Sequence, residues 1–425
     1  MTARARVSER EGGEALTDKT ILIAGTYDTK DDELGYLAEV IRNQGGQVLT
    51  MDVSVLGDPR LPTDISKHEV AQAGGSSIEM AIASGDENTA MQIMGAGAAT
   101  KALELHREGR IDGVIVLGGT MGTDLALDLC SALPIGVPKY IVSTVAFSPL
   151  LPPDRLPADV QMILWAGGLY GLNGICKASL SQAAGAVLGA ARAVEPPTRD
   201  RPLIGMTSFG KTVLRYMVTL KPELEARGFD VAVFHATGMG GRAFESLAAE
   251  GAFAAVMDFA PQEVSNHLFG GLSAGESRMT GAGKAATPQM IAPGCHDLVD
   301  FVGWQAVPPQ LEGRPMHAHN RLLSSAVLSP SEREQVAQEI GRKLSGAQGA
   351  VAVLIPDGGC HEWDRPDADL HDAEGLRVFC DALEAASPAS TEVHRLSCHI
   401  NDPAFVDHVL QIFDRWLAEG IIDAP

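Results

Sequence analysis

TILIAGTYDTKDDELGYLAEVIRNQGGQVLTMDV, residues 20–53, holds one complete strand–helix–strand unit. TILIAG (20–25) is short, continuously apolar and rich in β-branched residues, the pattern of a strand covered on both faces. DDELGYLAEVIRNQGG (31–46) spaces its apolar residues at helical intervals and stops at glycine. QVLTMDV (47–53) is the next strand. Two neighbouring strands joined through a helix run parallel, and a parallel sheet needs cover on both faces.

The alternation continues outward. SSIEMAIASG (76–85) and ENTAMQIMGAGAATKALELHREG (87–109) read as helical, IDGVIVLGG (111–119) as a strand, TDLALDLCSAL (123–133) as a helix and PKYIVST (138–144) as a strand. AVEPPTRDRP (193–202) is proline-rich and charged, and reads as a linker. The pattern then restarts with LIGMTSF (203–209), a helix over 213–228, DVAVFH (230–235), a helix over 241–251 and FAAVMDF (253–259); QMIAPG and AVAVLIP are later strands. The expectation is α/β: two doubly wound, Rossmann-like parallel-sheet domains over 18–195 and 200–425, with a cleft between them and a flexible stretch over 1–17.

The chain has 425 residues, enough for two such cores. Its formal charge of −21 repels phosphate backbones, so no nucleic-acid partner is expected, and a small anion needs local help from backbone N–H groups, a lysine or a metal. The six cysteines form no CxxC pair, and MTARARVSER is followed by no apolar leader segment. A cytoplasmic location is the expectation. No apolar run is long enough to span a membrane.

Four strand-to-helix turns carry glycine, where open α/β sheets bind ligands. In Gly25-Thr26-Tyr27-Asp28-Thr29-Lys30, Asp28 or Thr29 is placed to cap the helix, and Asp31, Asp32 and Glu33 fill its first turn. That acidity leaves a ribose, a metal on Asp28, or capping alone. LGGTMGTD (117–124) is the better anion cradle, with Gly118, Gly119 and Gly122 for close backbone approach and Thr120 and Thr123 for hydroxyls; the plain alternative is a turn with Thr123 as cap. GMTSFGKT (205–212) fits the Walker A spacing through Lys211, but Phe209 is bulky where such a loop wraps phosphate. Gly238, Gly240 and Ala243, with Asp258 downstream, fit a short dinucleotide fingerprint.

The second half is rich in histidine. HAHN (317–320) puts His317 and His319 on one face if extended, and His296 and His361 each follow a cysteine. A zinc or iron site is chemically open to such groups, though neither HExxH nor a zinc-ribbon spacing occurs. No GxSxG elbow occurs.

Together these loops resemble the ATP-binding domain family of the tomato mosaic virus resistance protein, found in bacteria, fungi and plants. The resemblance is carried in order by GTYDTK (25–30), LGGTMGT (117–123), PKYIVST (138–144), GLN (171–173), GMTSFG (205–210), FHATGMGGRAFE (234–245), PG (293–294) with Asp297, and HN (319–320), over residues 18–415. It implies two α/β subdomains and ATP binding but no known reaction. Gly25, Thr26, Asp28, Thr29 and Lys30 match the family's first loop, and Gly118, Gly119, Thr120, Gly122 and Thr123 its second. The chain departs from the family at Ala260-Pro261-Gln262, Gly168, Arg321 and Lys211.

The resemblance and the residues lead to an ATP-binding protein, with magnesium as companion ion, that acts on a small anionic metabolite in the cleft if it is an enzyme. Glu263, Asp297 and His319 are then the acid–base candidates, and Thr207, Lys211, Thr237, Gly238, Gly240, Gly241 and Asn320 the substrate contacts. A metal-dependent hydrolase or carbon–carbon lyase using His296, His317, His319 and His361 is the second reading. A non-catalytic binding module is the third. A homo-oligomer is expected by analogy with large α/β proteins.

Overall fold

A computed structural model describes residues 18–195, 197, 200–210 and 215–425. The chain divides into two compact units at residues 197/198.

In the N-terminal unit five strands, β1 (Thr20–Gly25), β2 (Gln47–Asp52), β3 (Gly113–Gly118), β4 (Lys139–Ser143) and β5 (Gln161–Leu164), form one parallel sheet in the order β2-β1-β3-β4-β5. Alternate side chains feed two cores. Leu22, Ala24, Val114 and Val116 pack with the helices Lys67–Ala73, Glu87–Arg107 and Thr120–Ser131. Ile21, Ile23, Ile115 and Leu117 pack with Asp31–Asn43 and Gly174–Ala193 on the other face. Strand order reverses between β1 and β3, so a crevice opens at their carboxyl ends.

The C-terminal unit begins with β6 (Leu203–Ser208), β7 (Asp230–His235), β8 (Ala255–Asp258) and β9 (Gln289–Ile291). Three short strands follow, β10 (Leu298–Val302), β11 (Met316–Ala318) and β12 (Leu323–Val327), and pair antiparallel in the order β10-β12-β11. β13 (Val351–Pro356) and β14 (Glu392–Leu396) then return to the main sheet, which is parallel in the order β14-β13-β9-β8-β6-β7. The small antiparallel sheet and the short edge strands β5 and β14 are additions to the sequence-based expectation. Among the described residues no helix is long and apolar enough to cross a membrane.

One helix boundary differs from expectation in a way that shapes the first site. The helix expected over 123–133 begins three residues earlier, at Thr120, with Gly119 rather than Thr123 as its cap. A Cβ on Gly118 would stand 2.5 Å from the Gly122 Cα, so only glycine lets β3 run this closely into the helix. At Gly119 the nearest atom to such a Cβ is Thr144 Oγ1, 3.8 Å away. Gly118→Ala is expected to cost about 1–3 kcal/mol through forced backbone displacement. Gly119→Ser, which adds a good capping side chain, should leave stability level or raise it slightly. Urea midpoints of the two variants check this contrast.

Candidate functional site

The loops after β1 and β3 meet. Thr26, Asp28, Thr29 and Lys30 from the first line one cavity of about 550 Å³ with Gly118, Gly119, Thr120 and Gly122 from the second. Val53, Val55, Leu56, Ile82 and Met91 give it an apolar side, and Asp86 and Glu87 a carboxylate rim. A second hollow of about 440 Å³ adjoins it across Thr120, Met121 and Met91.

The two helix N-termini at this cavity are unlike. Helix Asp31–Asn43 starts from Lys30 without a side-chain cap, so neither Asp28 nor Thr29 caps it. Its first turn is already answered by carboxylates: Asp31 and Asp32 pair with Arg60, while buried Glu33 accepts the Gly171 N–H at 2.7 Å. Helix Thr120–Ser131 starts from Gly119 with no capping side chain and no acidic residue in its first turn. Its leading N–H groups and dipole are therefore open to an anion. Thr120 borders the cavity. Thr123 does not join it as a ligand-contacting hydroxyl: fully buried, its Oγ1 bonds Gly119 O and Ser143 Oγ, both at 2.7 Å. Thr26 and Thr29 hydroxyls lie 3.2 Å apart. Asp28 accepts from the Gly57 N–H through Oδ2 at 3.2 Å, while its Oδ1 is buried with no protein partner. Gly25 meets Leu34, so its role is strand–helix packing.

In the C-terminal unit the corresponding strand ends are plugged. Arg278, fully buried, donates to Glu263 Oε2 (2.7 Å), Glu245 Oε1 (3.1 Å) and both oxygens of Asp258. Thr207 Oγ1 donates to Asp258 Oδ1 at 2.7 Å and accepts the Ala260 N–H. The Gly238 N–H, at φ +85°, donates to Glu263 Oε1 at 2.5 Å. A Cβ on Gly241 would stand 1.7 Å from Glu263 Oε2, and one on Gly240 would strike the His235 carbonyl. These glycines admit a carboxylate of the chain itself, not a ligand. Four expectations are thereby corrected. Glu263 has no exposed surface and both its oxygens are engaged, so it does not line a cleft as an acid or base. Thr207 is buried within the same network. Gly238, Gly240 and Gly241 are positions of internal close approach. Asp258 serves Arg278 rather than a ribose. Lys211 lies outside the described residues.

Asp297 is also internal. Its carboxylate lies 3.1–3.2 Å from His361 Nε2 and 3.6 Å from Arg333. Burial raises its pKa, but His361 and Arg333 outweigh that and hold it below the usual carboxylate range. His361 is pushed down by burial and up by Asp297, with the net direction up. His296 stacks on Phe379 at 3.5 Å, and burial lowers it to about 4. Among the described residues no group of three or more His, Cys, Asp or Glu side chains converges as a metal site would require. The set His296, His317, His319 and His361 is not assembled around one point.

His317 and His319 do share a face, as the extended HAHN reading requires, with ring centroids 5.2 Å apart. With His235, Phe209 and Trp363 they line a separate pocket of about 510 Å³. Asn320 borders it, but its Oδ1 accepts the Leu322 and Leu323 N–H groups and so closes the β11–β12 turn. Thr237 faces His235 Nδ1 at 3.2 Å. Arg278, Ser325 and Trp363 carry no mark of a site in the sequence, since each stands alone there and its partners come from other elements; Asp300, a candidate metal carboxylate by its place near Asp297 in the sequence, instead bonds Ser325 and Asn266.

Residues 19–196 match the profile described as the Uncharacterised protein family (UPF0261) N-terminal domain, and residues 201–417 its C-terminal domain. A UPF0261 protein of Brucella melitensis is 51% identical over 403 residues, covering 95% of this chain and 96% of its own. One of Clostridium tetani is 34% identical, covering 91% and 96%. The ToMV susceptible protein tm-1(GCR26) of Solanum lycopersicum is 28% identical over 92% of this chain and 55% of its own length. The solved glycosyltransferase SnogD of Streptomyces nogalater is 13% identical over 93% of this chain and 99% of that one, at a TM-score of 0.19, too low to speak for a shared fold.

The plugged cluster predicts a stability signature. Arg278→Met leaves three carboxylates buried without their cation and should cost about 3–5 kcal/mol, seen as loss of the cooperative urea transition or of soluble protein. Burial raises Glu263, Arg278 opposes it, and the net value is about 7; Glu245 is raised by the same cause. Raised carboxyls contribute stability that is full below about pH 4.5 and lost as pH rises through about 7. The urea midpoint should therefore fall between pH 5 and pH 8, by at most ~1.4 kcal/mol per pH unit for each group. The fall should be shallower in Glu263→Gln.

Proposed function

The chain belongs to the uncharacterised protein family UPF0261, and on that footing we propose that its N-terminal unit binds an adenine nucleotide, ATP with magnesium. The convergence of the 25–30 and 118–122 loops on one cavity of about 550 Å³ carries the reading. The uncapped N-terminus at Gly119-Thr120, with the Thr120 hydroxyl and Lys30, supplies donors for phosphate oxygens. Val53, Val55, Leu56, Ile82 and Met91 offer an apolar wall to a purine. Asp28, Asp86 and Glu87 also line the cavity, so a bare triphosphate meets repulsion that a bound magnesium ion relieves. The buried, unpartnered Asp28 Oδ1 fits such an ion, through water, or a ribose hydroxyl.

All six cysteines are free thiols, and this supports a reducing, cytoplasmic setting. Among the described residues the Walker A stretch contributes no glycine cradle of its own: Phe209 is buried, and Thr207 is engaged with Asp258. We therefore read the nucleotide in the first unit.

Calorimetric titration with MgATP tests this, with adenosine as the control that lacks phosphate. Saturable binding is expected for the wild type. Thr120→Ala removes a hydroxyl that would meet a charged oxygen, and should weaken affinity about 10-fold or more. Gly119→Asp is the sharper variant. It provides a helix cap and keeps the fold, but places a carboxylate where phosphate would sit, so binding should vanish while the urea midpoint holds. Lys211→Ala should bind like the wild type. Loss of binding in Lys211→Ala with retention in Gly119→Asp would move the nucleotide to the second unit and defeat the reading.

A further inference from the structure

The pocket of about 510 Å³ lies wholly within the C-terminal unit, beside its antiparallel sheet. A chain of hydrogen bonds runs inward from it. His319 Nε2 lies 3.0 Å from Ser325 Oγ, and Ser325 Oγ donates to Asp300 Oδ1 at 2.5 Å. Asn266 fixes the carboxylate from behind: its Nδ2 reaches Asp300 Oδ2 at 3.3 Å, and its Oδ1 accepts the Asp300 N–H at 2.7 Å. Strand register builds the line, since Ser325 sits opposite Asp300 across β10–β12 and opposite His317 across β12–β11. Ser325, Asp300 and Asn266 have no exposed surface, whereas His319 reaches the pocket.

Counting hydrogens fixes the imidazole. A serine hydroxyl has one hydrogen, and here it is committed to the carboxylate. Ser325 Oγ can then only accept from His319, so Nε2 carries the ring proton and Nδ1 presents a lone pair. Burial, then the imidazoles of His317 and His235, lowers His319 to about 4. Burial raises Asp300 to about 6, against the bonds from Ser325 and Asn266. Above that pH the base is neutral and the carboxylate behind it is charged.

Among the described residues no hydroxyl or thiol nucleophile faces the pocket: Ser325 is buried with its hydroxyl held, and the thiols of Cys295 and Cys360 are buried and pushed well above their ordinary values. The Glu362 carboxylate on its wall is engaged by Arg215 at 3.0 Å, Arg365 at 3.4 Å and Asn401 Nδ2 at 3.1 Å. Trp363, stacked on His317 at 3.9 Å, and Phe209, 5.3 Å from His319, provide flat, dry surfaces. A base, imidazole N–H donors and aromatic walls together suit a planar anion formed next to a carbonyl.

We propose that this pocket is a proton-transfer site for a small enolisable carbonyl compound, with His319 Nδ1 as base, Ser325 and Asp300 as its positioning residues, and His317 as the donor to the carbonyl oxygen. The C–H bond next to the carbonyl breaks and an N–H bond forms at Nδ1. The electron pair moves to the carbonyl oxygen as an enolate. Return of the proton, to the same carbon or to its neighbour, restores the base, and no oxidant or reductant takes part. The proposal does not rest on nucleotide binding in the first unit.

The test is exchange of carbon-bound hydrogen in D2O, followed by proton NMR, on the full chain with dihydroxyacetone and, separately, pyruvate as probes. Saturable, protein-dependent exchange of at least one probe is expected. It should fall about 100-fold in His319→Gln. It should fall about 10-fold in Ser325→Ala, a loss of orientation only, and recover in Ser325→Thr. Nitrogen-15 spectra of histidine-labelled protein should show His319 as the Nε2–H tautomer in the wild type and as a mixture in Ser325→Ala. No exchange with either probe, exchange unchanged in His319→Gln, or an Nδ1–H tautomer in the wild type would each overturn the proposal.

Discussion

The guanidinium of Arg278 is the constraint on which the C-terminal unit turns. It brings Asp258 at the end of β8, Glu245 on the helix after β7 and Glu263 on the helix after β8 to one buried point. Three carboxylates around one cation are tolerable only because backbone donors share the load: the N–H groups of Met279 and Gly281 serve Glu245, and that of Gly238 serves Glu263. The glycine-rich turn after β7 follows from this. Gly240 and Gly241 are bare because a carbonyl and a carboxylate stand where their Cβ atoms would be. The same arrangement fills the reversal of strand order between β6 and β8, the position where an open α/β sheet ordinarily receives its ligand.

The equivalent reversal in the N-terminal unit, between β1 and β3, is handled the opposite way. Among the described residues no arginine lines its cavity. Gly119 leaves the helix start uncapped, and Arg60 and Arg155 are paired with carboxylates: Asp31 and Asp32 for the first, Asp124 and Asp128 for the second. One sheet has thus neutralised its strand ends internally and the other has left them to be completed. That contrast, rather than any single motif, decides which of two similarly glycine-rich halves keeps an open cavity at the reversal of its strand order.

Sequence reasoning saw the parallel strands because TILIAG, GVIVLG and VAVLIP are continuous apolar runs, and a period of two or of 3.6 needs only local information. It placed the loops at 25–30 and 117–124 at strand ends, and the structure turns them onto one cavity because β1 and β3 lie side by side. It misread the second half for a physical reason. A glycine that admits a phosphate and a glycine that admits the chain's own glutamate leave the same mark on the sequence. The difference lies in Arg278, some forty residues from the turn it serves and surrounded by unremarkable neighbours. Asp297 was misjudged likewise, since a carboxylate after Cys-His carries no sign that His361 and Arg333 will enclose it. The HAHN face was legible because extended backbone sets residues two apart on one side, and β11 is extended.

With Arg278 filling the reversal between β6 and β8, the C-terminal unit keeps its accessible polar chemistry beside it, at the ends of β6 and β7. The antiparallel strands β10–β12, inserted between β9 and β13, bring His317 and His319 beside Phe209, the residue that follows β6, and His235, the last residue of β7. An antiparallel ladder suits this better than a loop. Cross-strand pairing holds Asp300, Ser325 and His317 in fixed register, and Asn266 locks the inner end of the line from a separate helix. The buried carboxylate costs desolvation, which its raised pKa records, and that cost is offset only by the hydrogen bonds converging on it. A line of this kind orders a side chain it does not need for folding, since His319 lies only half-buried at its outer end. Under the proton-transfer proposal, precision at the pocket side of an otherwise structural network serves the site rather than stability.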